Sequence, residues 1–183
     1  MTDGSVLVDS YRFALMVERL CLHLIENYGD FENTCFIGIQ PRGSLLSDRM
    51  IETFERLNAV VPKLYGKLDI TFYRDDFRTR DKPLSASTNE MPFLVEGKKV
   101  ILVDDVLYTG RTINAALNAL LDYGRPEKVE LLVLVDRRFN RELPVSSDYT
   151  GTTIDALSQE YVKVEWKQLH GEDRILFLSG KQQ

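Results

Sequence analysis

The segment Val100-Ile-Leu-Val-Asp104-Asp105-Val-Leu-Tyr108-Thr109-Gly110-Arg111-Thr112 limits what this chain can fold into more than any other stretch. Its apolar start fits a strand buried on both faces, as in parallel sheets covered by helices. Two adjacent carboxylates follow, at the carboxyl end of the strand where open α/β sheets bind ligands. Thr109, Gly110, Arg111 and Thr112 then bring backbone amides, two hydroxyls and a guanidinium to the expected start of a helix, which is a phosphate site. Carboxylates accept hydrogen bonds from sugar hydroxyls, so the pair and the cradle together describe a sugar phosphate. The bland alternative is a strand end and a plain N-cap, but adjacent carboxylates repel each other and a turn does not require both.

The rest of the chain alternates the same two kinds of element. Ser10 is placed to cap a helix whose apolar positions Phe13, Met16, Leu20 and Leu24 recur at helical spacing, with Cys21 beside the stripe. Cys35-Phe-Ile-Gly-Ile39 reads as a buried strand running into the turn Gln40-Pro41-Arg42-Gly43. Leu45, Leu46, Met50, Phe54 and Leu57 give a second amphipathic helix, and Leu68 to Tyr73 alternates like a half-buried strand. A helix is expected from about Thr112 to Tyr123, ended by Gly124, followed by a buried strand over Val129 to Val135. Strands alternating with helices predict a parallel sheet covered on both faces. In the tail, Val162, Val164 and Trp166 alternate, His170 to Asp173 can turn, and Ile175 to Leu178 runs apolar, which predicts an antiparallel hairpin. Arg74 to Glu90 is long and polar, the mark of a functional lid or a disordered segment.

These elements fit one domain over residues 1–183, long enough to bury a core without metal or disulfide staples. Net charge is −5, from 23 Lys and Arg against 28 Asp and Glu, which argues against bulk attraction to nucleic acid. Cys21 and Cys35 sit in apolar company without metal-ligand spacing and read as buried thiols of a reducing compartment. No apolar run reaches membrane-spanning length, and Met1-Thr-Asp-Gly-Ser5 lacks signal-peptide character. A cytoplasmic protein with no membrane partner is therefore expected. His23 and His170 lack partners at ligand or triad spacing and read as non-catalytic; Trp166 reads as a packing residue of the hairpin.

The phosphate-cradle segment resembles the phosphoribosyl-pyrophosphate (PRPP) motif of type I phosphoribosyltransferases. Its full wording is similar to that of the pyrimidine-operon attenuator/uracil phosphoribosyltransferase family, PyrR. Asp69-Ile-Thr-Phe-Tyr-Arg-Asp-Asp76, Gly124-Arg-Pro126, Leu134-Val-Asp-Arg137 and Arg141-Glu-Leu-Pro144 resemble further segments of that family, in order. The resemblance implies an α/β type I phosphoribosyltransferase-like core with a mostly parallel sheet covered by helices, a flexible hood loop and a C-terminal β-hairpin. It implies transfer of phosphoribosyl from PRPP to uracil, giving UMP and pyrophosphate, with Mg2+ bound through the pyrophosphate. Residue by residue, Asp104 and Asp105 would hold the ribose 2- and 3-hydroxyls. Val106, Leu107 and Tyr108 are expected to be substrate-binding as well, with Thr109, Gly110, Arg111 and Thr112 around the 5-phosphate. Arg42 and Gly43 match the pyrophosphate loop, Arg137 a substrate-contacting arginine, and Val162 a hairpin position lining the base pocket. Asp105 and Arg42 are the expected catalytic residues, stabilising charge on the sugar and on the leaving group, with no general base assigned. The hood, Tyr73 to Phe93, would bring Arg74, Arg78, Arg80 and Lys82 over the pyrophosphate and exclude water. A homo-oligomer, dimer or larger, is expected.

The chain departs from the family at several places. Gln40-Pro41-Arg42-Gly43 stands where Lys-Thr-Arg-Gly is common, so one positive charge is lost. Related transferases often hold a cis peptide here, and Pro41 lowers its cost to about 0.5–1 kcal/mol. Phe139-Asn140 replaces Gly-His and Gly151-Thr152-Thr153 replaces Gly-Lys-Asn, which thins a basic RNA face to Arg19 and Arg141. An RNA-binding attenuator responding to uridine nucleotides is thus an alternative with few phosphate contacts. A phosphoribosyltransferase for another base is a second alternative, since the PRPP motif does not identify the base. A receiver-like or phosphatase-like domain would also put acids at a strand end, but this chain offers no separate phosphoacceptor carboxylate.

Overall fold

A computed structural model describes residues 4–75, 88–156 and 160–179. Strand β1 (Gly4–Val8) leads into helix α1 (Ser10–Tyr28), then β2 (Thr34–Ile39), α2 (Arg42–Arg56) and β3 (Leu64–Leu68). The long strand β4 (Lys99–Leu107) runs into α3 (Arg111–Leu120), and β5 (Lys128–Arg138) and β6 (Tyr149–Asp155) follow. Strands β7 (Glu160–Glu165) and β8 (Arg174–Ser179) close the chain, with the single turn α4 (Lys167–His170) between them. Strands β3-β2-β4-β5-β6 form a five-stranded parallel sheet, the expected α/β core.

The pleat of β4 divides the core. Ile101 and Val103 face the layer built by α1 and α2, packing with Phe13, Leu24, Leu46 and Phe54. Val100 and Leu102 face the layer of α3, packing with Ile113, Ala116 and Leu120. The apolar periodicity of both N-terminal helices is realised, but α1 is capped by Asp9, whose carboxylate accepts from the Arg12 amide at 2.8 Å. Ser10, expected as the cap, is the first helical residue, and its hydroxyl donates to the Asp173 carbonyl at 2.8 Å.

Three further expectations are corrected. The strand expected over Leu68 to Tyr73 lies earlier, at Leu64–Leu68. Asp69 Oδ1 accepts from the Thr71 amide at 2.8 Å and hydroxyl at 2.6 Å, an Asx-type turn that draws Thr71–Tyr73 into a 3-10 turn. The acidic pair does not follow β4 but lies within it. Because β5 extends to Arg138, the ladder continues through Asp104 opposite Val133 and Leu107 opposite Asp136. The expected helix to Tyr123 is α3 followed by a 3-10 turn over Leu121–Tyr123, and it ends at Gly124 as expected. The first and sixth strands had no sequence expectation. The polar run Thr150 to Thr153 hides β6, which is shielded on one side by Met16 over Gly151.

The C-terminal hairpin is present, and β1 adds to it to give the antiparallel order β1-β8-β7. Asp173 in its turn ion-pairs with Arg49 of α2 and accepts from the Lys167 amide at 2.8 Å. Trp166 is buried edge-on against Phe13, ring centroids 5.5 Å apart, as a packing residue should be. Most of the expected hood, with Arg78, Arg80 and Lys82, lies outside the described residues. Among the described residues no helix is long and apolar enough to cross a membrane.

Gly43 fixes how closely α2 meets the sheet. A Cβ there would lie 2.3 Å from the Val103 carbonyl oxygen and 3.0 Å from Asp104 Cα, both backbone atoms of β4. Gly43→Ala is therefore expected to cost about 1–3 kcal/mol through overpacking. In a chain of this size that lowers the melting point by about 2–4 °C per kcal/mol, which calorimetry would read. An unchanged melting point would refute this close approach.

Candidate active site

Strands β2, β4 and β5 end at one edge of the sheet, and β7 closes over it. Together they enclose a cavity of about 560 Å³ lined by Arg42, Asp104, Asp105, Tyr108, Arg137 and Val162, among others. An adjoining hollow of about 500 Å³ is lined by Leu107, Thr109, Gly110, Arg111 and Ile113. Arg74, Val106, Tyr108 and Thr112 line both, so the two form one elongated cleft of ligand size.

Both carboxylates are buried. Asp104 Oδ1 accepts from the Asp105 amide at 2.9 Å, whereas Asp105 Oδ2 is buried without a hydrogen-bond partner among the described residues. Burial pushes both carboxyls above the ordinary aspartate range, and the Asp105 charge pushes Asp104 further. Arg42 opposes this in both cases. Burial disfavours the Arg42 charge in turn, but Asp105, Tyr161 and Asp104 together outweigh it and raise its pKa. An unpartnered buried acceptor beside a guanidinium is a site prepared for a hydroxyl donor.

The turn beyond β4 is a strand–loop–helix. Gly110 sits at φ +93°, a left-handed conformation open to glycine, and α3 starts at Arg111. The first-turn amides of α3 have no intrahelical partner, and residues Gly110 to Ile113 line the hollow. The loop is braced from behind: the amides of Glu142 and Leu143 both donate to the Thr109 carbonyl at 3.0 Å. Arg141 donates to the Tyr108 carbonyl and, at 2.6 Å, to Asp136 Oδ1. The Arg111 side chain ion-pairs with Asp75 and, at 2.6 Å, with Glu142, so in this structure its guanidinium is held by carboxylates.

Arg137 lies with its Cζ 4.0 Å from the Tyr108 ring centroid, and its Nη2 donates to the Glu160 carbonyl at 2.6 Å. It thus ties the turn after β4 to the hairpin. Gly43 alone of the expected site residues contributes through packing and does not line the cleft. The Gln40–Pro41 peptide is cis, as the resemblance implied. Tyr161, Ile39 and Ile70 also line the cavity and were not expected; Tyr161 stands next to Val162, the one signal that could have found it.

The phosphoribosyl transferase domain family matches residues 5–168. A curated relative from Enterococcus faecalis, "Bifunctional protein pyrR", is 41% identical over 176 residues, covering 96% of this chain and 97% of that protein. "Bifunctional protein PyrR" of Microcystis aeruginosa is 47% identical over 160 residues, covering 87% and 88%. This chain belongs to the PyrR family of phosphoribosyltransferases. Among solved structures, hypoxanthine phosphoribosyltransferase of Trypanosoma cruzi superposes with a TM-score of 0.70 at 16% identity, covering 97% of each chain. At that identity the likeness shows the fold, a type I phosphoribosyltransferase fold that the PyrR family shares.

The raised acidic pair sets a sign for pH dependence. A carboxyl with a raised pKa favours the folded state when protonated, and that contribution is lost as pH rises through the raised value. Asp104→Asn keeps the acceptor for the Asp105 amide and removes one buried charge. Ligand-free Asp104→Asn is expected to melt above the unsubstituted protein at neutral pH, with a difference that narrows as pH falls towards the ordinary aspartate range. Thermal melts across that range are the check, and a constant or reversed difference would refute it.

Proposed function

We propose that the protein transfers phosphoribosyl from PRPP to uracil. A bond forms between uracil N1 and ribose C1, the bond from C1 to the pyrophosphate oxygen breaks, and uracil loses its N1 proton, giving UMP and pyrophosphate. The observation that carries the reading is the buried, unpartnered Asp105 Oδ2 beside Arg42, in a cleft that continues to the α3 N-terminus. Asp104 and Asp105 accept the ribose 2- and 3-hydroxyls, and the Asp105 charge steadies the cationic sugar as the bond breaks. The amides and hydroxyls of Thr109, Gly110, Arg111 and Thr112 hold the 5-phosphate, which must displace the carboxylates from the Arg111 side chain. Arg42 meets the leaving pyrophosphate. Val162, Val106 and the Arg137–Tyr108 stack wall the base side of the cleft.

The donor set fits a magnesium ion carried in on the pyrophosphate, because the acidic pair offers hard oxygens at the cleft. Among the described residues no group of three His, Cys, Asp or Glu forms a metal cage of its own. Bound in that way, the ion would neutralise charge on the leaving group. The buried free thiols, Cys21 pushed up to about 12 and Cys35 to about 11 by burial, suit a reducing cytoplasm. Exposed Tyr11, Leu15 and Leu22 along α1 support a homo-oligomer.

Incubation with PRPP, Mg2+ and each of uracil, cytosine, hypoxanthine and guanine is expected to yield UMP alone. Nucleotide from a purine and none from uracil would overturn the base assignment. Asp105→Asn is expected to lower turnover by about 10²–10³-fold while the fold stays intact. Near-normal turnover of that variant would remove the carboxylate from the mechanism.

The relatives are named bifunctional, and the second activity that the family resemblance implies is RNA binding that attenuates pyrimidine genes in response to uridine nucleotides. The two arginines of the thinned basic face are engaged internally: Arg19 donates to the Gly151 carbonyl and Arg141 to Tyr108 and Asp136. In a chain of net charge −5, that leaves weak binding without discrimination between a pyrimidine leader and unrelated RNA. Titrating both RNAs at two salt concentrations, with and without UMP, is the check. Tight, leader-selective binding strengthened by UMP would make regulation a principal function.

A further inference from the structure

We propose that the Asp75 carboxylate is an internal competitor for the 5-phosphate, which weakens phosphate binding at the α3 end of the cleft by occupying the Arg111 guanidinium. The inference deepens the PRPP reading above and rests on it. Arg111 is the first residue of α3 and lines the hollow together with Thr109, Gly110 and Thr112. Its Nη1 is ion-paired with Asp75 Oδ2 and its Nε with Glu142 Oε2, so two carboxylates share one guanidinium. Asp75 lines the hollow as well, whereas Glu142 does not.

The two carboxylates are built in differently. Glu142 belongs to the cradle: its amide donates to the Thr109 carbonyl at 3.0 Å, and a Cβ on Gly110 would lie 3.3 Å from the Cβ of the next residue, Leu143. Its carboxylate accepts from the Arg111 Nε at 2.6 Å, from outside the hollow. Asp75 comes from a different part of the chain, after the 3-10 turn Thr71–Tyr73, and its neighbour Arg74 lines both halves of the cleft. From within the hollow it gives Nη1 what a phosphate oxygen would give, a negative charge and an acceptor, so the two exclude each other. The contact is also easily exchanged, because the side chains of Arg111 and Asp75 are 51% and 56% exposed and solvent screens such a pair. A phosphate dianion has the stronger claim, since it carries more charge and takes the first amides of α3 besides the guanidinium. Asp75 thus lowers the affinity of this end of the cleft without blocking it.

Asp75→Asn removes the charge and keeps the shape. Calorimetric titration of the full chain with ribose 5-phosphate, and separately with UMP, is expected to show about three- to tenfold tighter binding than in the unsubstituted protein. Uridine, which lacks the phosphate, should gain nothing, and the gain for the phosphates should shrink at high ionic strength. Glu142→Gln should shift the same affinities by less, because that carboxylate lies outside the hollow. In an Arg111→Ala background Asp75→Asn should add little, since the competition is for that guanidinium. Unchanged or weaker binding of ribose 5-phosphate, an equal gain for uridine, a larger shift for Glu142→Gln, or an equal gain with and without Arg111 would each overturn the inference. The two readings fail separately. Ribose 5-phosphate bound equally by Asp75→Asn and the unsubstituted protein overturns the role of Asp75 and leaves the phosphate site standing. Binding of ribose 5-phosphate and UMP by neither protein overturns the phosphate site and the inference with it.

Discussion

Two carboxylates buried side by side in the central strand β4 are the arrangement around which this molecule is organised. Asp104 and Asp105 are both nearly inaccessible to solvent, and burial and mutual repulsion disfavour their charges. Left without cations, such a pair would take up a proton or destabilise the strand. Arg42 is the structural answer, and the strand that bears the pair is held by ladders on both sides, to β2 and to β5. The fold thus keeps a buried, unpartnered acceptor, Asp105 Oδ2, at the cleft, a local cost of the kind seen where function and stability conflict.

Everything that presents groups to this pair depends on close approach. Gly43 lets α2 press against the backbone of β4, which sets where Arg42 begins. Gly110 lets the chain turn from β4 into α3, so that helix amides face the cleft next to the carboxylates. Arg141 and the amides of Glu142 and Leu143 support that turn through the Tyr108 and Thr109 carbonyls. The hairpin then closes the remaining side, carrying Tyr161 and Val162 to the cavity. A cleft built in this way is shaped by several elements that meet at one sheet edge, and each supplies a different chemical class of contact.

This division explains why some arginines with a similar appearance in sequence have different parts. Arg42 and Arg137 face the cavity, whereas Arg141 is used up in bracing the loop and Arg49 in latching the hairpin. Arg111 lies at the α3 end of the cleft but is covered by Asp75 and Glu142. Positive charge near a site is therefore a poor guide to its use; the nearest carboxylate or carbonyl decides it.

What the sequence determined by itself is local. The apolar run of β4, the acidic pair and Gly110 at the helix start follow from strand burial, carboxylate chemistry and the left-handed conformation that glycine favours, all contained within a few neighbouring residues. The alternation of strands and helices fixed the α/β class in the same way. Local rules failed where a distant partner took control: Asp69 turned an alternating stretch out of the sheet, and β5 drew the acidic pair into β4 by extending the ladder. Only the tertiary structure decided that Tyr161 and Arg42 line one cavity, that Arg141 faces inward and that Asp173 latches the hairpin. These are contacts between side chains far apart in the chain, and no spacing or periodicity records which of many similar residues will face one another once the sheet and hairpin have closed.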